Sequence, residues 1–296
     1  MPTARANGID VFYDSFGSED DPALLLVPGL GAHSIGYDDA LCEAVVAEAG
    51  VRLLRYDNRD VGLSTHLDGA EVDVLASLTA AVGGEPVAAP YTLSDMAADG
   101  IGLLDALGIE QAHVAGSSMG GMIAQTMAIE HPERIRSLTS IMSTTGEPDV
   151  GTPNPECLTG IMAIMAPVEG REERIRQNVD LARLIGTPSV FDEARALDRA
   201  TRFVDRRDDA DGVARQMVAI LASGSRADGL RTIDRPTVVL HGDVDPLVDV
   251  SGGRRTAELV PGARFELLEG MGHDLPPAYW DRVVAGIATA VTAVGA

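Results

Sequence analysis

The chain contains no lysine: all 23 of its basic residues are arginine. That absence excludes a Schiff-base lysine, a pyridoxal-phosphate enzyme, a P-loop and a Ser-Lys dyad, each of which needs an amine. A GC-rich coding genome, which also favours Ala and Gly, explains the bias more simply than salt adaptation. Cysteine is scarce too. Cys42 and Cys157 lie far apart in no metal-like spacing, as expected of buried thiols in a reducing compartment. Aromatic residues make up only 4%. No apolar run approaches membrane-spanning length, and residues 1–8 contain no apolar signal core, so a cytoplasmic chain with no membrane partner is expected. No His/Cys/carboxylate set has metal-ligand spacing.

What is present is acid. The 45 acidic residues give a formal net charge of −22, a surface that repels DNA, RNA and anionic membranes and argues against a nucleic-acid role. With 45% hydrophobic residues over 296 positions, a sizeable core is available to one large α/β domain or a domain with an insertion.

Short apolar runs alternate with helical stretches. Asn7-Gly8 between two extended segments is a hairpin signal. Ala23–Val27, Val51–Tyr56, 111–115, Ile135–Met142, 237–240 and 264–268 read as strands. Helices are expected over about Tyr37–Ala49, from the Thr92–Asp95 capping box to Gly108, over 121–130 and over Asp281–Val294. Such alternation implies a largely parallel sheet covered on both faces. After a Gly/Pro/Thr-rich linker over Thr144–Pro155, the stretch from about Glu156 to Asp228 is helical with no convincing strand. It reads as a lid over 146–228, inserted in a core of 1–145 and 229–296.

Active sites of open parallel sheets form at the carboxyl ends of the strands. Three such ends carry the chemistry. After the strand ending near Ala115 comes Gly116-Ser117-Ser118-Met119-Gly120, the only G-x-S-x-G in the chain, with a helix behind it. As a string it is weak, since roughly 0.2 matches are expected by chance. After the next-to-last strand comes His241-Gly242-Asp243-Val244-Asp245-Pro246, and after the last Gly270-Met271-Gly272-His273. A serine hydroxyl needs a base, and the imidazole needs a carboxylate to fix its tautomer. The chain order Ser, Asp, His is that of α/β hydrolases. Ser118 is the candidate nucleophile and His273 the base. Asp245 is the favoured acid, with Asp243 as the alternative. The oxyanion would be held by the backbone N–H of Met119 and, from the loop Pro28-Gly29-Leu30-Gly31, by that of Leu30.

The strings 24–29, 55–64, 114–121, 241–246 and 270–273 are spread along the chain, and together they resemble the α/β-hydrolase-fold serine hydrolases. The likeness is greatest to bacterial carboxylesterases of the aclacinomycin methylesterase type. It implies an α/β-hydrolase fold: a mostly parallel eight-stranded sheet with an inserted helical lid. It also implies a cofactor-free serine esterase that forms an acyl-enzyme on a small or medium apolar ester. The G-x-x-D pattern of the family falls on Gly242 and Asp245. Two departures are Pro28-Gly29, where many members have His-Gly, and a diverged lid. Lactonase, C–C hydrolase and perhydrolase chemistry, or a receptor using the same pocket, are the alternatives. The oligomeric state is open, a homodimer included.

The remaining motifs have plainer readings. Asp57–Asp60 is expected to tie down a loop. His113 should be core, His131 a helix cap, His241 structural and His66 surface, while His33 is a candidate for lining the pocket. In the lid, Ile161, Met162, Ile164, Met165, Leu181, Leu184, Ile185, Phe191 and Met217 should be mostly core, some facing the pocket. Arg171–Arg174 and Arg206–Asp209 read as solvated helix faces or turns.

Overall fold

The computed structural model describes residues 2–164, 168–207 and 209–294, with residues 161–164 described by their backbone alone. Eight strands form one sheet in the order β1-β2-β4-β3-β5-β6-β7-β8. β1 (Thr3–Ala6) and β2 (Ile9–Phe16) form an antiparallel hairpin, and β2 pairs antiparallel with β4 (Arg52–Tyr56). Asn7 and Gly8, at φ 44° and 81°, make the tight turn that their sequence announces. From β4 on the sheet is parallel, through β3 (Ala23–Val27), β5 (Ala112–Ser117), β6 (Ile135–Ile141), β7 (Thr237–Gly242) and β8 (Arg264–Leu268).

β3 shows why the strands are continuous apolar runs. All five of its residues are buried. Leu25 and Val27 face one core with α3 (Leu93–Ala106) and α4 (Met119–Glu130). Leu24 and Leu26 face the other, with α1 (Asp39–Ala49) and α11 (Trp280–Thr292). A strand covered on both faces has no solvent side on which polar residues could alternate. The capping box of α3 forms as expected, Asp95 accepting from the Thr92 N–H at 2.8 Å.

Between β6 and β7 the described residues contain only helices and loops: α5 (Pro155–Ile164), α6 (Arg171–Ile185), α7 (Glu193–Arg206), α8 (Ala210–Ser223) and the short α9 (Ala227–Leu230). α2 (Val74–Val82) lies outside this block but packs on α8. α10 (Val250–Leu259) follows β7. The side chains of Ile161, Met162 and Ile164, and all of Met165, lie outside the described residues. Leu181, Leu184, Ile185, Phe191 and Met217 are half-buried.

Candidate active site

The turn after β5 places Ser118 at φ 55°, a left-handed conformation that a non-glycine residue adopts only where its surroundings enforce it. The enforcement is visible. The Ser118 N–H donates to Ile141 O at 2.9 Å, and its carbonyl accepts from Ser143 Oγ at 2.8 Å and from the Gly121 N–H at 2.9 Å. The flanking glycines are there for close approach. A Cβ on Gly116 would overlap the carbonyl of Gly120, and one on Gly120 would overlap the carbonyl of Val27. The helix α4 starts at Met119, so its N-terminus sits beside the serine.

Tyr37 braces this turn from behind. Its hydroxyl donates to Val27 O at 2.8 Å and lies 2.7 Å from Ser117 Oγ. A phenol has one hydrogen, so the Ser117 hydroxyl is the donor in the second bond. The expected helix from Tyr37 begins instead at Asp39, leaving Tyr37 in extended backbone and pointing into the core.

The loop after β7 holds three carboxylates, and the structure separates their roles. Asp245 Oδ2 lies 2.7 Å from His273 Nδ1. Asp245 Oδ1 accepts from the N–H groups of Leu247 at 2.9 Å and Val248 at 2.8 Å. Burial acts to raise the Asp245 pKa. The charge of His273 and the bonds from His241, His273 and Val248 outweigh it and hold the carboxyl well below the usual carboxylate range. Asp243 instead accepts from the Gly270 N–H at 2.6 Å, fixing the histidine loop. Asp249 caps α10, accepting from the Ser251 N–H at 3.0 Å.

His273 is 8% exposed and its N–H donates to Ile185 O at 2.7 Å. Gly272 serves close approach and not a left-handed turn. The left-handed residue of this loop is Gly270, whereas Gly272 lets the strand end pass close to the 185–186 backbone, where a Cβ would come within 2.5 Å of Gly186 O.

The loop Pro28–Gly31 touches the serine. A Cβ on Gly29 would lie 3.3 Å from Ser118 Cβ and 3.8 Å from its Oγ. Among the described residues, neither the Leu30 N–H nor the Met119 N–H donates a hydrogen bond. Asp57–Asp60 ties its loop down as expected. Asp57 accepts from the N–H groups of Ser34 at 2.7 Å and Leu63 at 2.8 Å, Arg59 forks onto Asp99, and Asp60 receives Arg215.

A family model described as the alpha/beta hydrolase fold matches residues 22–276. The chain belongs to that family. It is 29% identical to rhodomycin D methylesterase DnrP of Streptomyces peucetius over 97% of each chain. It is 28% identical to the 2-hydroxymuconate semialdehyde hydrolase of Pseudomonas putida, over 64% of this chain and 65% of that one. Among solved structures, the enol-lactonase of Burkholderia xenovorans LB400 superposes with a TM-score of 0.74 at 23% identity, covering 98% of this chain and all of the other.

The hydrolase also contains polar residues that the sequence placed wrongly. His66, expected on the surface, is turned inward. Its Nε2 lies 2.8 Å from Asp209 Oδ1 and its Nδ1 lies 2.8 Å from Ser64 O. Arg206 and Asp209, expected in a solvated turn, are both engaged with the core. Arg206 pairs with Asp57 at 2.7 Å, and Asp209 accepts from the Gly62 N–H at 3.0 Å and meets His33 Nε2 at 2.5 Å. Asp208 of the same string lies outside the described residues. His33 is buried, its ring stacked on Phe203 at 4.6 Å. His113 is core, beside Ser137 Oγ at 2.7 Å, and His131 is the C-cap of α4. His241 donates to Val248 O at 2.8 Å. The only sequence signal for the His66–Asp209–His33 cluster was its residue types, and these come from three separate loops.

Proposed function

We propose that this hydrolase is a cofactor-free serine esterase acting on a carboxylic ester of a small or medium apolar substrate, with Ser118, His273 and Asp245 as its triad. The reading rests on one observation above the rest: His273 Nδ1 is held by the buried carboxylate Asp245 at 2.7 Å, on the same sheet edge as a serine at φ 55°. With Nδ1–H directed at Asp245, the proton-free lone pair of the neutral imidazole is on Nε2.

Ser118 Oγ attacks the ester carbonyl carbon as His273 Nε2 takes its proton. The carbonyl oxygen becomes an oxyanion held by the N–H groups of Leu30 and Met119. Collapse breaks the acyl–oxygen bond, and the departing alkoxide takes the proton from His273. Water, deprotonated by His273 in turn, hydrolyses the acyl-enzyme and frees Ser118.

The likeness to a methylesterase over nearly the whole chain supports a methyl ester as the substrate class. An enol-lactone is an internal ester, and the same steps would open one. Residues 146–228 form the cap of this reading and 1–145 with 229–296 its core. The cap reaches the histidine loop through Ile185 and Thr187, the latter accepting from the Gly272 N–H at 3.0 Å. The buried free thiols Cys42 and Cys157 support a cytoplasmic enzyme.

Hydrolysis of a panel of methyl and p-nitrophenyl esters tests the function. Ser118→Ala is expected to lower kcat by about 10⁴-fold or more. Activity retained in that variant would place the nucleophile elsewhere.

A further inference from the structure

Three consecutive peptide planes of the loop Pro28–Gly31 are each fixed by a different partner. Asn58 Nδ2 donates to Pro28 O at 2.9 Å. The Ala32 N–H donates to Gly29 O at 3.2 Å. The Gly31 N–H donates to Gln216 Oε1 at 2.9 Å. The middle plane carries the Leu30 N–H. In a trans peptide the C=O and N–H point in opposite directions, so turning Gly29 O towards Ala32 turns the Leu30 N–H away from it.

Two of these partners belong to the core loops. The third, Gln216, belongs to α8. Its side chain is fully buried, and its Nε2 donates to Arg59 O at 2.7 Å. The amide is therefore oriented from both ends, oxygen to the Gly31 N–H and nitrogen to the Arg59 carbonyl. The same helix presses on the loop elsewhere. A Cβ on Gly31, at φ 65°, would come within 2.9 Å of Val213. Asp209, the N-cap residue of α8, meets His33 two residues beyond Gly31.

We propose that Gln216 is a positioning residue: α8, docked on the core, sets the plane that follows Leu30, and the oxyanion hole is complete only while α8 is docked. The inserted helices then do more than cover the substrate. They supply a bond that aims a donor, so their displacement lowers the rate of chemistry and not only the affinity for substrate. The proposal rests on the serine esterase reading above, with Leu30 as an oxyanion donor.

The test compares two ketones as inhibitors of the full-length enzyme. A trifluoromethyl ketone bonds through its carbonyl carbon to Ser118 Oγ, whose proton passes to His273 Nε2, and as the C=O π bond opens its oxygen becomes an oxyanion. The matching methyl ketone binds without reacting. Gln216→Leu is expected to weaken the trifluoromethyl ketone by about 10–100-fold, somewhat less than outright loss of a donor. It should lower kcat on a p-nitrophenyl ester by the same factor, while KM and methyl ketone affinity change less than threefold. Gln216→Glu keeps an acceptor for Gly31 but sets a second oxygen against the Arg59 carbonyl, which lies 2.7 Å from Nε2 in the wild type, so it too should weaken the trifluoromethyl ketone selectively. If Gln216→Leu does not fold, Gln216→Glu and Asp209→Asn provide the same comparison, Asp209→Asn weakening the trifluoromethyl ketone selectively. Unchanged trifluoromethyl ketone affinity in these variants, or equal weakening of both ketones, overturns the proposal. A wild type that neither cleaves the ester nor prefers the trifluoromethyl ketone strikes the esterase reading itself, a distinct result.

Discussion

Ser118 is held in a strained backbone conformation by contacts that leave its side chain clear, and the residues around it divide the work by hydrogen-bond count. Asp245 and Asp243 lie two residues apart in one loop, yet only Asp245 meets an imidazole; Asp243 spends its carboxylate on the Gly270 N–H. Asp245→Asn should therefore lower kcat by about 10⁴-fold, because the amide favours the wrong histidine tautomer. Asp243→Asn should cost less than about tenfold, since an amide oxygen can still accept from Gly270. Steady-state kinetics on one ester checks both, and the reverse ranking would move the acid to Asp243. Position after a strand puts the candidate acid in this loop, and the G-x-x-D pattern of the family favours Asp245 within it. Sequence could not separate the carboxylates physically, because the loop after β8 reaches both and the choice depends on which one its histidine, rather than its Gly270 N–H, meets. The same holds for Tyr37. Its bond to Ser117 joins residues 80 positions apart, and no local pattern marks it.

At the scale of the element, strands and helices of the core were legible because burial on both faces writes a continuous apolar run and capping writes a local signature. β3 and the Thr92 box of α3 are examples. α2 went unread although Asp73 caps it, accepting from the Ala76 N–H at 2.9 Å. Its residues VLASLTAAV are mostly apolar, yet none of them is buried. The docking of α8 was illegible for the opposite reason: polar residues hold it. Arg215 forks onto Asp60 at 2.8 and 2.9 Å, both side chains being buried. Arg215→Ala would strand a buried carboxylate and should destabilise the protein by about 3–5 kcal/mol. Urea unfolding measures this, and a loss below about 1 kcal/mol would show that the pair does not fasten α8. Asp60 is the last residue of the Asp57–Asp60 string that is expected to tie down a loop, but its partner lies 155 residues away.

Over the whole molecule, pH acts on groups that folding has moved away from their ordinary values. Burial lowers the His113 pKa from 6.5 to about 4, with Arg136 adding to the effect. Between those values the unfolded chain binds a proton that the folded chain refuses, so stability falls as pH drops from about 6.5 to 4, by on the order of 3 kcal/mol from this residue. Asp209 pulls the same way at lower pH. Burial would raise it, but His33, His66 and the Gly62 N–H outweigh that and lower it to about 2. Its contribution is present above the ordinary carboxylate value near 3.9 and is lost as pH falls through about 2. The urea midpoint should decline below pH 6.5, and His113→Gln should flatten the first part of that decline; a midpoint independent of pH would contradict the account. The net charge of −22, so informative about unsuitable partners, says nothing about which bond the enzyme breaks. That information lies with Ser118. The most direct measurement is reaction of the folded protein with a fluorophosphonate, followed by peptide mapping. The account predicts one phosphonyl adduct, on Ser118, absent from Ser118→Ala; a folded wild type that stays unlabelled, or is labelled at another residue, would contradict it.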